Sequence, residues 1–226
     1  MYGYQVPKDY KEALLLDAKN NNTRWSDCTI LEMKQLHEYH TFIDKGLYSD
    51  TSIPIGFKKI RVHLIYAVKY DGRHKARLVA DGHLTDIPLN SVYAGVVSIR
   101  GMRMCLFLGE LNNMEAYATD IGNAYLEAKT HEKVCIRAGS EFGALEGHLL
   151  IIYKALYGLR SSGKQFGDLL ADCLKKEGFF PSKAEPQIFM RRQGNLWEYI
   201  ATYVDDLLIV SEQPLAILNV LQGDPY

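Results

Sequence analysis

Cysteine is scarce and scattered in this 226-residue chain: its four residues stand at Cys28, Cys105, Cys135 and Cys173, with no CxxC pair. A structural zinc site needs clustered Cys and His ligands, and the seven histidines form no cluster either, which excludes a zinc-finger module. Two thiols, in Met104-Cys105-Leu106 and Val134-Cys135-Ile136, lie inside apolar runs and read as buried. An excess of one charge is lacking too, since 26 Lys+Arg face 27 Asp+Glu for a net charge of −1. That balance argues against a protein whose whole surface grips nucleic acid. No apolar run approaches the ~18 residues that span a bilayer, and Met1-Tyr2-Gly3-Tyr4-Gln5 does not begin a secretory leader. The sequence therefore reads as intracellular and soluble, without distinguishing a cytoplasmic particle from the nucleus. There is no internal repeat or low-complexity tract. With 47% hydrophobic and 23% charged residues, wholesale disorder, a collagen-like repeat and a coiled-coil rod are excluded.

What is present is an irregular alternation of helical and strand patterns. Tyr10 to Asn20 carries Ala13, Leu14, Leu15, Leu16 and Ala18 and is closed by Asn20-Asn21-Asn22. Ser26 and Asp27 are placed to cap a second helix with Ile30, Leu31, Met33, Leu36 and Tyr39 on one side, so the first 45 residues read as helical. After Pro54 and Gly56 the period changes to two: Ile60, Val62, Leu64 and Tyr66 alternate with Arg61, His63 and Ile65. The Asp71-Gly72 turn leads to Ala76-Arg77-Leu78-Val79-Ala80, a hairpin signal. Ser98 to Asn112 is the longest helical candidate, and Ala116–Ile121, Val134–Arg137 and Leu149–Tyr153 read as strands. Phe166, Leu169, Leu170, Cys173 and Leu174 mark an amphipathic helix over 162–177, stopped by Gly178. Ile188–Arg191 and Trp197–Tyr203 flank the turn Gln193-Gly194-Asn195. Irregular alternation with short hairpins predicts an α+β fold rather than a doubly wound parallel sheet.

The sharpest anomaly is Tyr203-Val204-Asp205-Asp206-Leu207-Leu208-Ile209-Val210, two adjacent carboxylates between apolar runs. Buried, they would need a partner for their charge. One reading is an ordinary exposed hairpin turn. The other is a turn that presents carboxylates to a divalent metal, usually Mg²⁺, which prefers hard oxygen ligands. A further ligand is needed from elsewhere, and Asp120, ending the strand-like Ala116–Ile121, is the candidate. The main basic feature lies between Phe57 and Arg77, where Lys58, Lys59, Arg61, Lys69, Arg73, Lys75 and Arg77 face the single acid Asp71. It reads either as a solvated hairpin face or as a phosphate-facing surface. Lys75 and Arg77, two apart in a strand, share one face and could clamp a triphosphate.

Taken together, these segments resemble the reverse transcriptase domain of copia-type LTR retrotransposons, from about Asp27 to Glu212. Lys75-Ala76-Arg77-Leu78-Val79-Ala80 resembles the fingers motif. The next block, Ser91-Val92-Tyr93-Ala94-Gly95-Val96-Val97-Ser98, has Gly95 where the family usually has proline. Asp120-Ile121-Gly122-Asn123-Ala124-Tyr125-Leu126 resembles the first catalytic motif. Lys154-Ala155-Leu156-Tyr157-Gly158-Leu159-Arg160 is close to a family hallmark, and Gly178-Phe179 with Ser182-Lys183-Ala184-Glu185-Pro186 resembles the stretch after the long palm helix. Tyr203-Val204-Asp205-Asp206 matches the polymerase signature. Two further departures stand out: Gly163 where many relatives have Pro, and Asp81 where relatives often carry Lys.

The resemblance implies an α+β right-hand polymerase of fingers and palm, with an antiparallel palm sheet and packed helices. It implies an RNA-directed DNA polymerase using an RNA or DNA template with a primer, deoxynucleoside triphosphates and no membrane. Asp120 and Asp205 would bind two Mg²⁺ ions (Mn²⁺ is the substitute) about 4 Å apart, with Asp206 completing the catalytic carboxylates. Lys75 and Arg77 would meet the triphosphate. Tyr125 would sit beneath the sugar, although a core aromatic is the plainer reading of that residue. Gly158 would allow backbone to approach nucleotide or template. The implied organisation is a helical lead-in over 1–45, fingers over 46–114, palm over 115–212 and a short tail over 213–226. Only twenty residues follow Asp206, so thumb and RNase H regions are expected to be absent. The alternative is a truncated or repurposed domain that binds nucleic acid without polymerising. A two-metal nuclease, a third possibility, would not need Lys75 or Arg77. Oligomeric state is not readable.

Overall fold

In a computed structural model that describes residues 3–85 and 92–223, the chain forms six α-helices and eleven strands among the described residues. In chain order these are α1 (Tyr10–Asn20), α2 (Arg24–Glu38), β1 (Phe42–Leu47), β2 (Lys58–Lys59), β3 (Val62–Val68) and β4 (His74–Ala80). Then come α3 (Ile99–Leu111), β5 (Glu115–Asp120), α4 (Ala124–Glu127), β6 (Val134–Arg137), β7 (His148–Ile152) and α5 (Ser162–Lys176). β8 (Phe180–Pro181), β9 (Ile188–Gln193), β10 (Leu196–Tyr203), β11 (Asp206–Ser211) and α6 (Pro214–Gly223) complete it. The α+β class is as expected. Ser91, which opens the block carrying Gly95, and the last three residues of the 213–226 tail lie outside the described residues.

The elements gather into two compact units, neither continuous in sequence. The first joins Met1–Ser91 to Tyr125–Ser162, and the second joins Val92–Ala124 to Gly163–Tyr226.

In the first unit, α2 packs on the β3–β4 hairpin. Leu64, Tyr66 and Val68 of β3 and Ala76, Leu78 and Ala80 of β4 are buried with Trp25 and Leu36, so the period-two pattern does mark the inner face. A four-stranded sheet, ordered β1-β7-β6-β2, adds Ile136, Leu150 and Ile152 to the same core. Helix α2 starts at Arg24, earlier than Ser26 and Asp27 predict as caps. The reason is tertiary: the buried Asp17 of α1 accepts hydrogen bonds from the Trp25 and Ser26 amides at 3.0 and 2.7 Å, satisfying first-turn donors that a local cap would otherwise take. The helical reading of the first 45 residues also ends early, because Phe42–Leu47 pairs with β7 as a strand.

In the second unit, a five-stranded antiparallel sheet runs β5-β11-β10-β9-β8, with β5 at one edge. Helix α3 lies against β5, β10 and β11. Gly109 makes that approach possible, since a Cβ there would sit 2.7 Å from Cγ1 of Val210. Ser98 caps α3 by accepting from the Gly101 amide at 3.0 Å. At 13 residues α3 is not the longest helix, because α2 and α5 each reach 15. Helix α5 buries Phe166, Leu170 and Leu174, as its spacing predicts. The cysteines are free, and Cys28, Cys105 and Cys135 are buried. Burial pushes the Cys28 thiol up to about 12 and Cys105 to about 11, leaving both unreactive at neutral pH.

Candidate active site

The two carboxylates singled out between apolar runs fall at the β10–β11 connection. Tyr203 pairs with Asp206, leaving Val204-Asp205 as a two-residue turn. Val204 takes φ +56° while Asp205 keeps an ordinary φ. A positive φ at the first central position matches the type II′ hairpin turn, where Gly is usual. A β-branched residue there holds about 1–3 kcal/mol of strain. The surrounding strand pairing sustains it.

β11 pairs antiparallel with β5, and that register sets Asp206 opposite Asp120. The backbone carbonyl of Asp205 accepts from the Ile121 amide at 2.8 Å, tying the turn to the residue after Asp120. Three acids from segments more than eighty residues apart thus meet at one end of one sheet. Asp120 and Asp206 are exposed and Asp205 is half-buried. None of the three carboxylates has a hydrogen-bond or ion-pair partner among the described residues.

The other predicted residues, Lys75, Arg77, Tyr125 and Gly158, all belong to the first unit. Lys75 and Arg77 share the outer face of β4, as alternation predicts, while Ala76 and Leu78 point inward. The guanidinium of Arg77 lies 3.9 Å from the Tyr157 ring centroid. That ring is tilted against Tyr125 at 4.7 Å between centroids. Gly158 has φ +91°, and a Cβ on it would lie 2.1 Å from the Ala80 carbonyl oxygen, so the close neighbour shown for it is the end of β4. The unexpected Asp81 bonds to Arg61 Nε and to His63 Nδ1, each at 3.1 Å, offsetting part of the hairpin's positive charge.

Two residues escaped the sequence reading. Tyr157 lies inside a motif already quoted, but nothing in the motif says what its ring touches. Glu32, on α2, had no signal at all. Its Oε1 accepts from the Leu78 amide at 2.9 Å, on the outer edge of β4. Burial raises the Glu32 carboxyl above its ordinary value, against the pull of the Leu78 amide and of Arg77 and Lys75. A carboxyl raised on folding binds its proton more tightly when folded. Its contribution to stability is present below the ordinary glutamate range and is lost as pH rises through the raised value. Glu32→Gln keeps an acceptor for Leu78 without the buried charge. We expect a higher thermal midpoint than wild type above that window and no difference near pH 4, read by circular dichroism. A difference independent of pH would refute the assignment.

The donor chemistry of Asp120, Asp205 and Asp206 fits a hard divalent cation, being all carboxylate oxygen without competing Lys or Arg partners. Among the described residues no group of three or more His, Cys, Asp or Glu side chains is gathered closely enough to hold an ion alone. Mg²⁺ is usually held by one or two carboxylates together with substrate phosphates, so a protein-only cage is not required. No helix among the described residues is long and apolar enough to cross a membrane.

Comparison with known proteins agrees with the motif reading. The family model "Reverse transcriptase (RNA-dependent DNA polymerase)" matches residues 46–222. The chain is 25% identical over 229 residues to the retrovirus-related Pol polyprotein from transposon TNT 1-94 of Nicotiana tabacum, covering 96% of this chain and 16% of that protein. It is 28% identical over 168 residues to the retrovirus-related Pol polyprotein from transposon RE1 of Arabidopsis thaliana, covering 70% of this chain and 12% of that protein. A truncated transposon Ty1-A Gag-Pol polyprotein of Saccharomyces cerevisiae is 29% identical over 184 residues, covering 80% of this chain and 15% of that protein. The chain therefore spans less than a fifth of each of these relatives.

Proposed function

Because this chain belongs to the reverse transcriptase (RNA-dependent DNA polymerase) family, of the copia-type retrotransposon kind that its motifs resemble, we propose that it is the nucleotide-adding part of an RNA-directed DNA polymerase. It would extend a primer on an RNA or DNA template with deoxynucleoside triphosphates. The observation that carries this reading is the register of β5 and β11, which brings Asp120, Asp205 and Asp206 to one sheet end with their carboxylates unpaired.

In this reading Asp120 and Asp205 hold two Mg²⁺ ions, and Asp206 completes the carboxylate set. Bound there, the ions supply Lewis-acid activation of the primer 3′-hydroxyl and neutralise charge on the leaving pyrophosphate. Lys75 and Arg77 bind and orient the triphosphate, Lys as a point charge and Arg through its forked donors. Tyr125 packs beneath the sugar, where a ring leaves no space for a 2′-hydroxyl, and Gly158 lets backbone approach the nucleotide or template. Since phosphoryl transfer asks little covalent chemistry of the protein, positioning and charge account for most of the rate. Fingers over 46–114 and palm over 115–212 belong to the same proposal.

Primer extension on an RNA template with Mg²⁺ tests it. The chain is expected to add deoxynucleotides, and addition should stop when the metal is chelated. Retained template binding without extension would overturn the enzymatic reading and favour a domain that binds nucleic acid without copying it.

A further inference from the structure

We propose that Tyr157 is a positioning residue for the incoming nucleotide, its ring setting the guanidinium of Arg77 and the ring of Tyr125 in a single stack. The proposal rests on the nucleotide-binding reading of Arg77 and Tyr125 and adds the element that holds them in register. The three residues come from three separate segments, β4, α4 and the Leu156–Leu159 connection, all within the first compact unit. Arg77 lies 3.9 Å from the Tyr157 ring centroid, well inside the distance at which a cation is attracted to an aromatic face. On the same ring Tyr125 rests at 4.7 Å, with the planes 38° apart. One ring therefore contacts two of the groups that the proposed reaction assigns to the nucleotide.

The backbone of Tyr157 is held independently of either partner. The Ala80 amide donates to the Tyr157 carbonyl at 2.7 Å, fastening Tyr157 to the end of the strand that carries Arg77. Gly158 then turns away at φ +91°, and a Cβ on Gly82 would lie 2.0 Å from the Gly158 carbonyl oxygen, so the segment packs backbone to backbone along Ala80–Gly82. Arg77 has no hydrogen-bond or ion-pair partner among the described residues. An aromatic face orients a guanidinium without consuming its N–H donors, all of which stay available for an anion. A directly paired carboxylate would orient it equally well but would compete with phosphate; Glu32 acts on Arg77 only through space, without an ion pair. The choice of a ring is what makes the residue suited to gripping a triphosphate.

Tyr157→Leu keeps apolar bulk and removes the π-face, and Tyr157→Phe keeps the ring. In the full chain, Tyr157→Leu is expected to raise the dissociation constant for a fluorescent mant-dATP and the KM for deoxynucleotide roughly tenfold, the scale of a partly buried cation–π contact. The kcat should stay within about threefold, since ground-state and transition-state binding are lost alike. Discrimination against ribonucleotides should fall together with affinity, because Tyr125 loses the same support. Tyr157→Phe should restore both. Unchanged affinity in a folded Tyr157→Leu chain, a loss confined to kcat, or a Tyr157→Phe variant as impaired as Tyr157→Leu would each overturn the positioning role while leaving the polymerase reading intact. A wild-type chain that neither binds mant-dATP nor extends a primer would overturn the polymerase reading and this role with it. Arg77→Ala and Tyr157→Ala combined should shift the thermal midpoint less than the sum of the separate shifts. Additive shifts would show that the two side chains are not coupled, against the proposal.

Discussion

Asp205→Asn is expected to lower primer extension by about a thousandfold or more while leaving template affinity within about twofold of wild type. The size follows from what is removed. Lewis-acid stabilisation of the developing charge is worth several kcal/mol, and each 1.36 kcal/mol is a factor of ten in rate. The stability of the chain should hardly move. The structural duty of Asp205 is carried by its backbone carbonyl, which accepts from Ile121 and is unchanged by the substitution. Its carboxylate has no partner among the described residues, so none is orphaned when it becomes an amide. Asp172→Asn is the matched control: it removes one negative charge from the exposed face of α5, where Asp172 pairs with Lys175. Extension by Asp205→Asn within threefold of wild type, or equal losses in the two variants, would remove Asp205 from the metal-binding set.

The second large effect is on folding. Gly158→Ala meets two separate obstacles. A φ of +91° is strained for any L side chain, and the new Cβ would fall 2.1 Å from the Ala80 carbonyl oxygen and 2.7 Å from Val79 Cγ1. A backbone atom in a buried hairpin cannot swing aside as the end of a flexible side chain can. The Tyr157–Ala80 hydrogen bond should break, at a total cost of about 3–5 kcal/mol. For a chain of this size that lowers the thermal midpoint by roughly 10 °C. Gly72→Ala separates the two causes. Its φ is +83° but nothing lies within 4 Å of the added Cβ, so only the conformational cost of about 1 kcal/mol remains. Equal midpoints for the two variants would show that the close approach at Gly158 is relieved cheaply, and the backbone packing that holds Tyr157 would lose its support.

Much of the local structure was legible because the responsible forces act over a few residues. Alternation in Val62–Val68 and His74–Ala80 reports which face is buried, since successive strand side chains point to opposite sides. The 3.6-residue spacing of Phe166, Leu170 and Leu174 marks a helix whose one stripe is covered. Misses occurred where a distant group replaced a local one. Helix α2 begins at Arg24 because Asp17 of another helix satisfies its first donors, which no inspection of Ser26 and Asp27 reveals. Residues 42–47 look unremarkable until β7, a hundred residues later, supplies their ladder partners.

The candidate site divides the same way. Sequence alone determined which residues to examine: the Asp205-Asp206 pair, Asp120 at a strand end, and Lys75 with Arg77 on one face, because residue type and short spacing are local properties. Only the tertiary structure decided their company. Strand register between β5 and β11 sets Asp120 opposite Asp206, and the Ala80 amide fastens Tyr157 where its ring meets both Arg77 and Tyr125. It also showed that Asp81 answers Arg61 and His63 and that Glu32 reaches the edge of β4. The near-zero net charge, which argued against a whole surface gripping nucleic acid, averages a basic hairpin in one compact unit with unpaired carboxylates in the other. Charge balance is a sum over the chain, and it takes folding to sort that sum into separate surfaces.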